Sequence, residues 1–157
     1  MKVELKRLQI YERMSEETIA FNADVWIDGK KAGYAKNNGH GGNTDVRIDD
    51  RALAAALREY GKTLVPAEYK EFSPGDEWIV DDLVEKVRAA KETARVAKKT
   101  AKIDAQYKAT CPARGTHAAR FKTDAVTTRW IEYQDESAAR SEAEKKFGKI
   151  ADWTVVA

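Results

Sequence analysis

The stretch Phe21-Asn22-Ala23-Asp24-Val25-Trp26-Ile27-Asp28-Gly29-Lys30-Lys31-Ala32-Gly33-Tyr34-Ala35-Lys36 decides how the rest of the chain is read. Phe21, Ala23, Val25 and Ile27 share one face of an extended segment, and Asn22, Asp24 and Trp26 take the other. That period of two is the mark of a half-buried strand. Asp28-Gly29 follows at once and supplies the positive φ angles of a tight hairpin turn. Ala32, Tyr34 and Lys36 then continue a returning strand.

Upstream, Val3 and Leu5 alternate with charged neighbours, Lys6-Arg7 interrupts, and Leu8 and Ile10 resume in the even positions. A shift of parity within one strand predicts a bulge. Ser15-Glu16-Glu17 reads as a polar turn, so residues 1–43 form a three-stranded antiparallel meander closed by the glycine-rich loop 37–43. Downstream, Asp49 or Asp50 caps a helix over 49–61, with Leu53, Ala56, Leu57 and Tyr60 on one side and Gly61 as its stop. Pro66 and Ser73-Pro74-Gly75 mark a linker, and a long helix follows over 76–107. Cys111-Pro112 and Gly115 break it. Over 116–157, a β-rich stretch around Phe121 and Thr127 to Tyr133 leads to a helix opened by Asp135 and closed by Gly148. A final strand runs from Trp153 to Val156. The order of elements is that of an α+β fold in a single domain.

The run SEETIAFNADVWIDGKKAGYAKNNGHGG, residues 15–42, resembles the N-terminal signature of small uncharacterised proteins of bacteria, phages and other mobile elements. The shared pattern falls on Ser15 to Thr18, Phe21, Asp28 to Lys31, Gly33 to Asn37 and Gly39 to Gly42. The resemblance covers roughly Val3 to Asn43; beyond it only the order of elements is similar, and the Ala/Lys-rich helix departs from it. It implies a fold and a mobile-element origin, and no mechanism.

The 157 residues suit one domain, and a hydrophobic content of 43% is enough to bury a core. One cysteine excludes an internal disulfide, and with two histidines a four-ligand Cys/His zinc site lacks ligands. A reducing compartment follows, and with no signal-like apolar segment and no apolar run near ~20 residues the expectation is a cytoplasmic protein of a host cell, away from membranes. The net charge of +2 by itself argues against a dedicated polyanion binder, yet the total hides its distribution. Residues 1–82 carry 12 basic and 16 acidic side chains, residues 83–122 carry 11 and 3, and residues 123–157 carry 5 and 7. A local field can therefore be strong.

At ~100° per residue, Arg88, Lys91, Arg95, Lys98, Lys99 and Lys102 fall in one helical arc of about 100°. Beside it runs a stripe of Leu83, Val87, Ala90, Ala94, Ala97 and Ala101, narrow enough for close approach to another helix or surface. A docking face beside a cationic face suits phosphates or an acidic protein surface. The competing reading is a solvated Lys-rich face on a strong helix former. The helix has no interleaved aromatics for base stacking; Phe121, Trp130 and Tyr133 offer rings nearby, with core packing the simpler role for them.

Chemistry has few candidates. The loop Asn38, Gly39, His40, Gly41 offers amides to an anion or contacts to a partner, without P-loop spacing. Cys111 with His117 or His40 is a formal nucleophile–base pair, and Asp45, Asp49 and Asp50 a formal Mg²⁺ set, but no signature surrounds either. Neither a cofactor nor a catalytic residue is assigned. The leading expectation is a non-enzymatic interaction protein, phage or mobile-element encoded, that binds a host protein or protein–nucleic-acid assembly and inhibits or modulates it, as counter-defence proteins do. The alternative is direct DNA or RNA binding through the basic helix; a small hydrolase or nuclease ranks third.

Overall fold

A computed structural model describes residues 1–69, 71, 74–124 and 127–157. The chain divides into two units, Met1–Glu92 and Thr93–Ala157. The first holds strands β1 (Val3–Ile10), β2 (Phe21–Ile27), β3 (Lys30–Asn37) and β4 (Asp45–Ile48), and helix α1 (Arg51–Leu64). Helix α2 (Gly75–Arg114) contributes residues 75–92 to this unit and 93–114 to the next. The second unit continues with β5 (His117–Lys122), β6 (Thr128–Tyr133), α3 (Glu136–Phe147) and β7 (Ala151–Val155).

The α+β class stands, and the expected meander gains a fourth strand: the first sheet runs β1-β2-β3-β4, antiparallel throughout. The β1 bulge falls between Lys6 and Gln9, with Arg7 at φ 52°. Asp28 (φ 47°) and Gly29 (φ 82°) make the turn with both central residues left-handed. A second bulge lies between Val25 and Trp26, so that Val25 faces Gly33 while Trp26 faces Lys31. It sets the faces of β3: Ala32 and Ala35 point into the core, whereas Tyr34 and Lys36 point out. Gly33 lets β4 approach, because a Cβ there would lie 1.9 Å from the Arg47 carbonyl oxygen.

Phe21, Ala23, Val25 and Ile27 pack with Leu57 of α1 and Ile79, Val80 and Val84 of α2 to form the core of the first unit. Asp50 caps α1, its carboxylate accepting from the Leu53 amide at 2.7 Å. The helix does not stop at Gly61 but runs on to Leu64. Gly61 is a contact point instead, where a Cβ would come within 1.9 Å of the Gly75 carbonyl oxygen. Beside this junction the Arg58 guanidinium grips the buried Asp76 carboxylate with Nε–Oδ1 at 3.3 Å and Nη2–Oδ2 at 3.1 Å. Of the expected linker, Ser73 lies outside the described residues, and Gly75 already begins α2.

In the second unit α2 continues through Cys111 and Pro112 to Arg114, past the expected end at 107. Proline removes one hydrogen bond from the helix, and so near the end the ladder survives it. Gly115 (φ 65°) then turns the chain. The β-rich stretch is a β5–β6 hairpin, β7 pairs with β5 on its other side, and the sheet order is β6-β5-β7. Asp135 caps α3 through the Ala138 amide at 3.0 Å, and Gly148 closes it at φ 81°. One sheet face packs Phe121, Ile131 and Trp153 on Ala143 and Phe147 of α3. On the other, Ala118 and Val156 meet Tyr107 and Cys111 of α2. Asp104 on α2 accepts from Arg120 and, at 2.8 Å, from Trp130 Nε1.

Candidate functional site

Residues 89–99 of α2 are exposed on every side of the helix. Of the stripe expected to approach another helix or a surface, Ala90, Ala94, Ala97 and Ala101 are exposed, and Val87 is 38% exposed. Alanine offers too little apolar area to hold a packed face. Only Leu83, at the start of the stripe, joins a core.

The six basic positions divide between the units. In the first, Arg88 is half-buried and already engaged by Glu12 at 3.6 Å and Glu85 at 3.7 Å, while Lys91 is exposed. In the second, Arg95, Lys98, Lys99 and Lys102 are exposed. Lys91, Lys98, Lys99 and Lys102 have no carboxylate partner among the described residues. The second unit carries 13 basic and 8 acidic side chains, so its lysines stand in a positive surrounding.

The glycine-rich loop is locked onto the Ser15–Thr18 turn. The Asn37 carbonyl accepts from Thr18 Oγ1 at 2.9 Å and from the Gly39 amide at 2.8 Å, and its amide donates to the Gly42 carbonyl at 3.0 Å and Thr44 Oγ1 at 3.1 Å. The Gly39 carbonyl accepts from the amides of Glu16, Glu17 and Thr18 at 3.0, 3.0 and 3.3 Å. The Gly41 amide donates to Thr18 Oγ1 at 3.3 Å. Two of the amides offered to an anion are thus spent inside the loop, and His40 Nδ1 lies 3.1 Å from Glu16 Oε2. Asn38 and His40 remain exposed, whereas Gly39 is buried. Gly39 is required for space, since a Cβ there would lie 2.1 Å from the Met14 carbonyl oxygen, and Gly41 for its left-handed backbone at φ 82°.

Between this loop and α2 lies a cleft of about 400 Å³ whose walls include Glu77, Asp81 and Glu85. Its acidity opposes anion binding. Loss of hydration against the cleft wall raises the Asp81 carboxyl above the usual range despite the 2.6 Å hydrogen bond from Thr44 Oγ1. Desolvation, with Asp76 and Asp81 nearby, raises Glu77. Both carboxyls bind protons more tightly folded than unfolded. The stability they contribute is therefore complete below the unfolded-state values and lost as pH rises through the folded-state ones. Thermal melts above about pH 4.5, the ordinary glutamate value, are expected to show Tm falling toward neutrality. Asp81→Asn, which keeps an acceptor for Thr44, should raise Tm at pH 7 and flatten that slope. An unchanged slope would refute this assignment.

The catalytic candidates are not assembled. Cys111 is fully buried in an apolar cluster, and His117 is exposed against the Tyr133 ring at 5.9 Å. Asp45 meets Arg47 at 3.2 Å and Lys36 at 3.8 Å, while Asp50 is spent as the α1 cap. Among the described residues no group of three His, Cys, Asp or Glu side chains is placed to hold a metal ion. Phe121 and Tyr133 are core rings, and Trp130 donates to Asp104. Among the described residues no helix is long and apolar enough to cross a membrane. No protein-family model, curated protein or solved structure matches this chain.

Proposed function

We propose that this chain is a non-enzymatic interaction protein of a phage or mobile element. It binds a host protein or protein–nucleic-acid assembly through the cationic face of α2 and inhibits or modulates it. The observation that carries this reading is the set Lys98, Lys99 and Lys102: exposed, within two helical turns, and without a carboxylate neighbour among the described residues. Unpaired cations held on a regular helix keep their full charge for an anionic surface and steer its approach.

The test replaces Lys98, Lys99 and Lys102 by Glu, which preserves helix propensity, and compares capture of host partners before and after nuclease treatment. Capture by the original chain that survives nuclease, and is lost in the variant at unchanged Tm, is the expected result. Undiminished capture by the variant would reject the reading. The same unpaired lysines favour direct DNA or RNA binding as the second reading. In that case capture disappears with nuclease, and the affinity for plain duplex falls steeply with salt. The variant then loses roughly 3 from the slope of log affinity against log salt.

A further inference from the structure

One face of the first sheet packs on α1 and α2; on the other, Asn22, Tyr34, Lys36 and Arg47 are exposed, and the side chains are set by the two bulges. Trp26 of β2 faces Lys31, and Tyr34 of β3 faces Asp24, so the two rings are diagonal neighbours on the central strands. Such neighbours stand about 7–8 Å apart. Tyr34 is 39% exposed and Trp26 half-buried, with Lys6 Nζ resting 3.6 Å from the Trp26 ring centre. Arg47, opposite Tyr34, lies 6.0 Å from that ring.

Charge completes the surface. Lys6, Arg7, Lys31, Lys36 and Arg47 outnumber Glu4, Asp24 and Asp45. Asp24 sits centrally, with Lys31 Nζ at 2.9 Å and Arg7 Nε at 2.6 Å, and both hold its carboxyl below the usual range. The left-handed backbone of Arg7 in the β1 bulge accompanies that placement of its guanidinium. Trp26 Nε1 is buried with no hydrogen-bond partner among the described residues, a donor left over in the free chain.

We propose that this second face of the sheet is a stacking platform for single-stranded nucleic acid. Bases lie on the Trp26 and Tyr34 rings, and the phosphates run along Lys6, Arg7 and Lys36. Every base has a π-face, so paired rings on adjacent strands accept successive nucleotides without reading their sequence. Lys6 is long and exposed, and it turns from the indole to a phosphate as a base takes its place. The core of a protein interface is depleted of charge, whereas eight charged side chains surround these two rings, with cations in excess. A polyanion with flat apolar faces matches both features. This surface belongs to the first unit and does not rest on the lysines of the second.

The test is a ¹H–¹⁵N titration of the full chain with oligo-dT of about ten nucleotides at low salt. The expected result is movement of the Trp26 indole signal and of the Tyr34 and Lys36 amides, weakening as salt is added. Trp26→Ala and Tyr34→Ala should each reduce affinity roughly tenfold, while the Lys98/Lys99/Lys102→Glu variant keeps the same shift pattern. Shifts confined to residues 98–102 would overturn the proposal and assign the nucleic acid to α2. No shift at low salt would overturn it as well. So would concentration-dependent movement of Trp26 without oligonucleotide, which would assign the face to a second copy of this chain.

Discussion

Gly61→Ala is expected to destabilise the chain by about 3 kcal/mol and lower Tm by about 10 °C, although alanine is the better helix former by ~1 kcal/mol. A Cβ at position 61 would stand 1.9 Å from the Gly75 carbonyl oxygen and 2.2 Å from its carbon, and one at Gly75 would stand 2.3 Å from the Arg58 carbonyl oxygen. The obstacles are backbone atoms, which no rotamer change can move aside. To admit the methyl group, α1 and the start of α2 must separate where Arg58 holds the buried Asp76. That separation exposes a carboxylate whose partner is held by the same junction, and the two costs arrive together. Gly42→Ala is the control: nothing lies within 4 Å of its Cβ position, so the change should stay within about 0.5 kcal/mol. Urea unfolding of both variants checks the contrast, and equal midpoints would contradict the close contact.

Asn37→Ala should cost about 2–3 kcal/mol and release the loop that follows it. The side chain fills all four of its roles: it accepts from Thr18 and Gly39 and donates to Gly42 and Thr44. Each bond contributes ~1 kcal/mol net, and the part-buried partners are then left with less than full satisfaction. Asn37→Asp separates the two halves of the network. A carboxylate still accepts from Thr18 and Gly39, but it cannot donate, and its charge falls near the acidic cleft of Glu77 and Asp81. That variant should be as unstable as Asn37→Ala at pH 7 and recover on acidification. Hydrogen exchange of the Gly39 and Gly41 amides reports the loop directly; unchanged protection in Asn37→Ala would show that the loop is held by other means.

The hairpin over 21–36 was legible because alternation and turn chemistry agree there. The β1 bulge was legible because Leu8 and Ile10 change parity relative to Val3 and Leu5. The second bulge was not, since Lys30 and Lys31 are both exposed and carry no parity signal. Strand β4 was hidden by its length of four residues and its polar half, Asp45 and Arg47. Gly61 was misread because a glycine that ends a helix and one that admits a neighbouring backbone have the same local sequence. Of the candidate site, the spacing of the lysines was readable from helical phase alone. The capture of Arg88 by Glu12 was not, because it joins positions far apart in sequence. The bonding of Ser15–Thr18 to Gly39–Gly42 was not legible either, because it also joins segments far apart in sequence.

The burial of Cys111 turns the one thiol of the chain into a reporter of breathing. Its sulfur sits between the last turns of α2 and the Ala118 and Val156 layer of the second sheet. A disulfide reagent reaches it only while that layer is parted. The labelling rate, followed against denaturant, therefore measures the free energy of that opening in the second unit, and it does so without any change to the sequence.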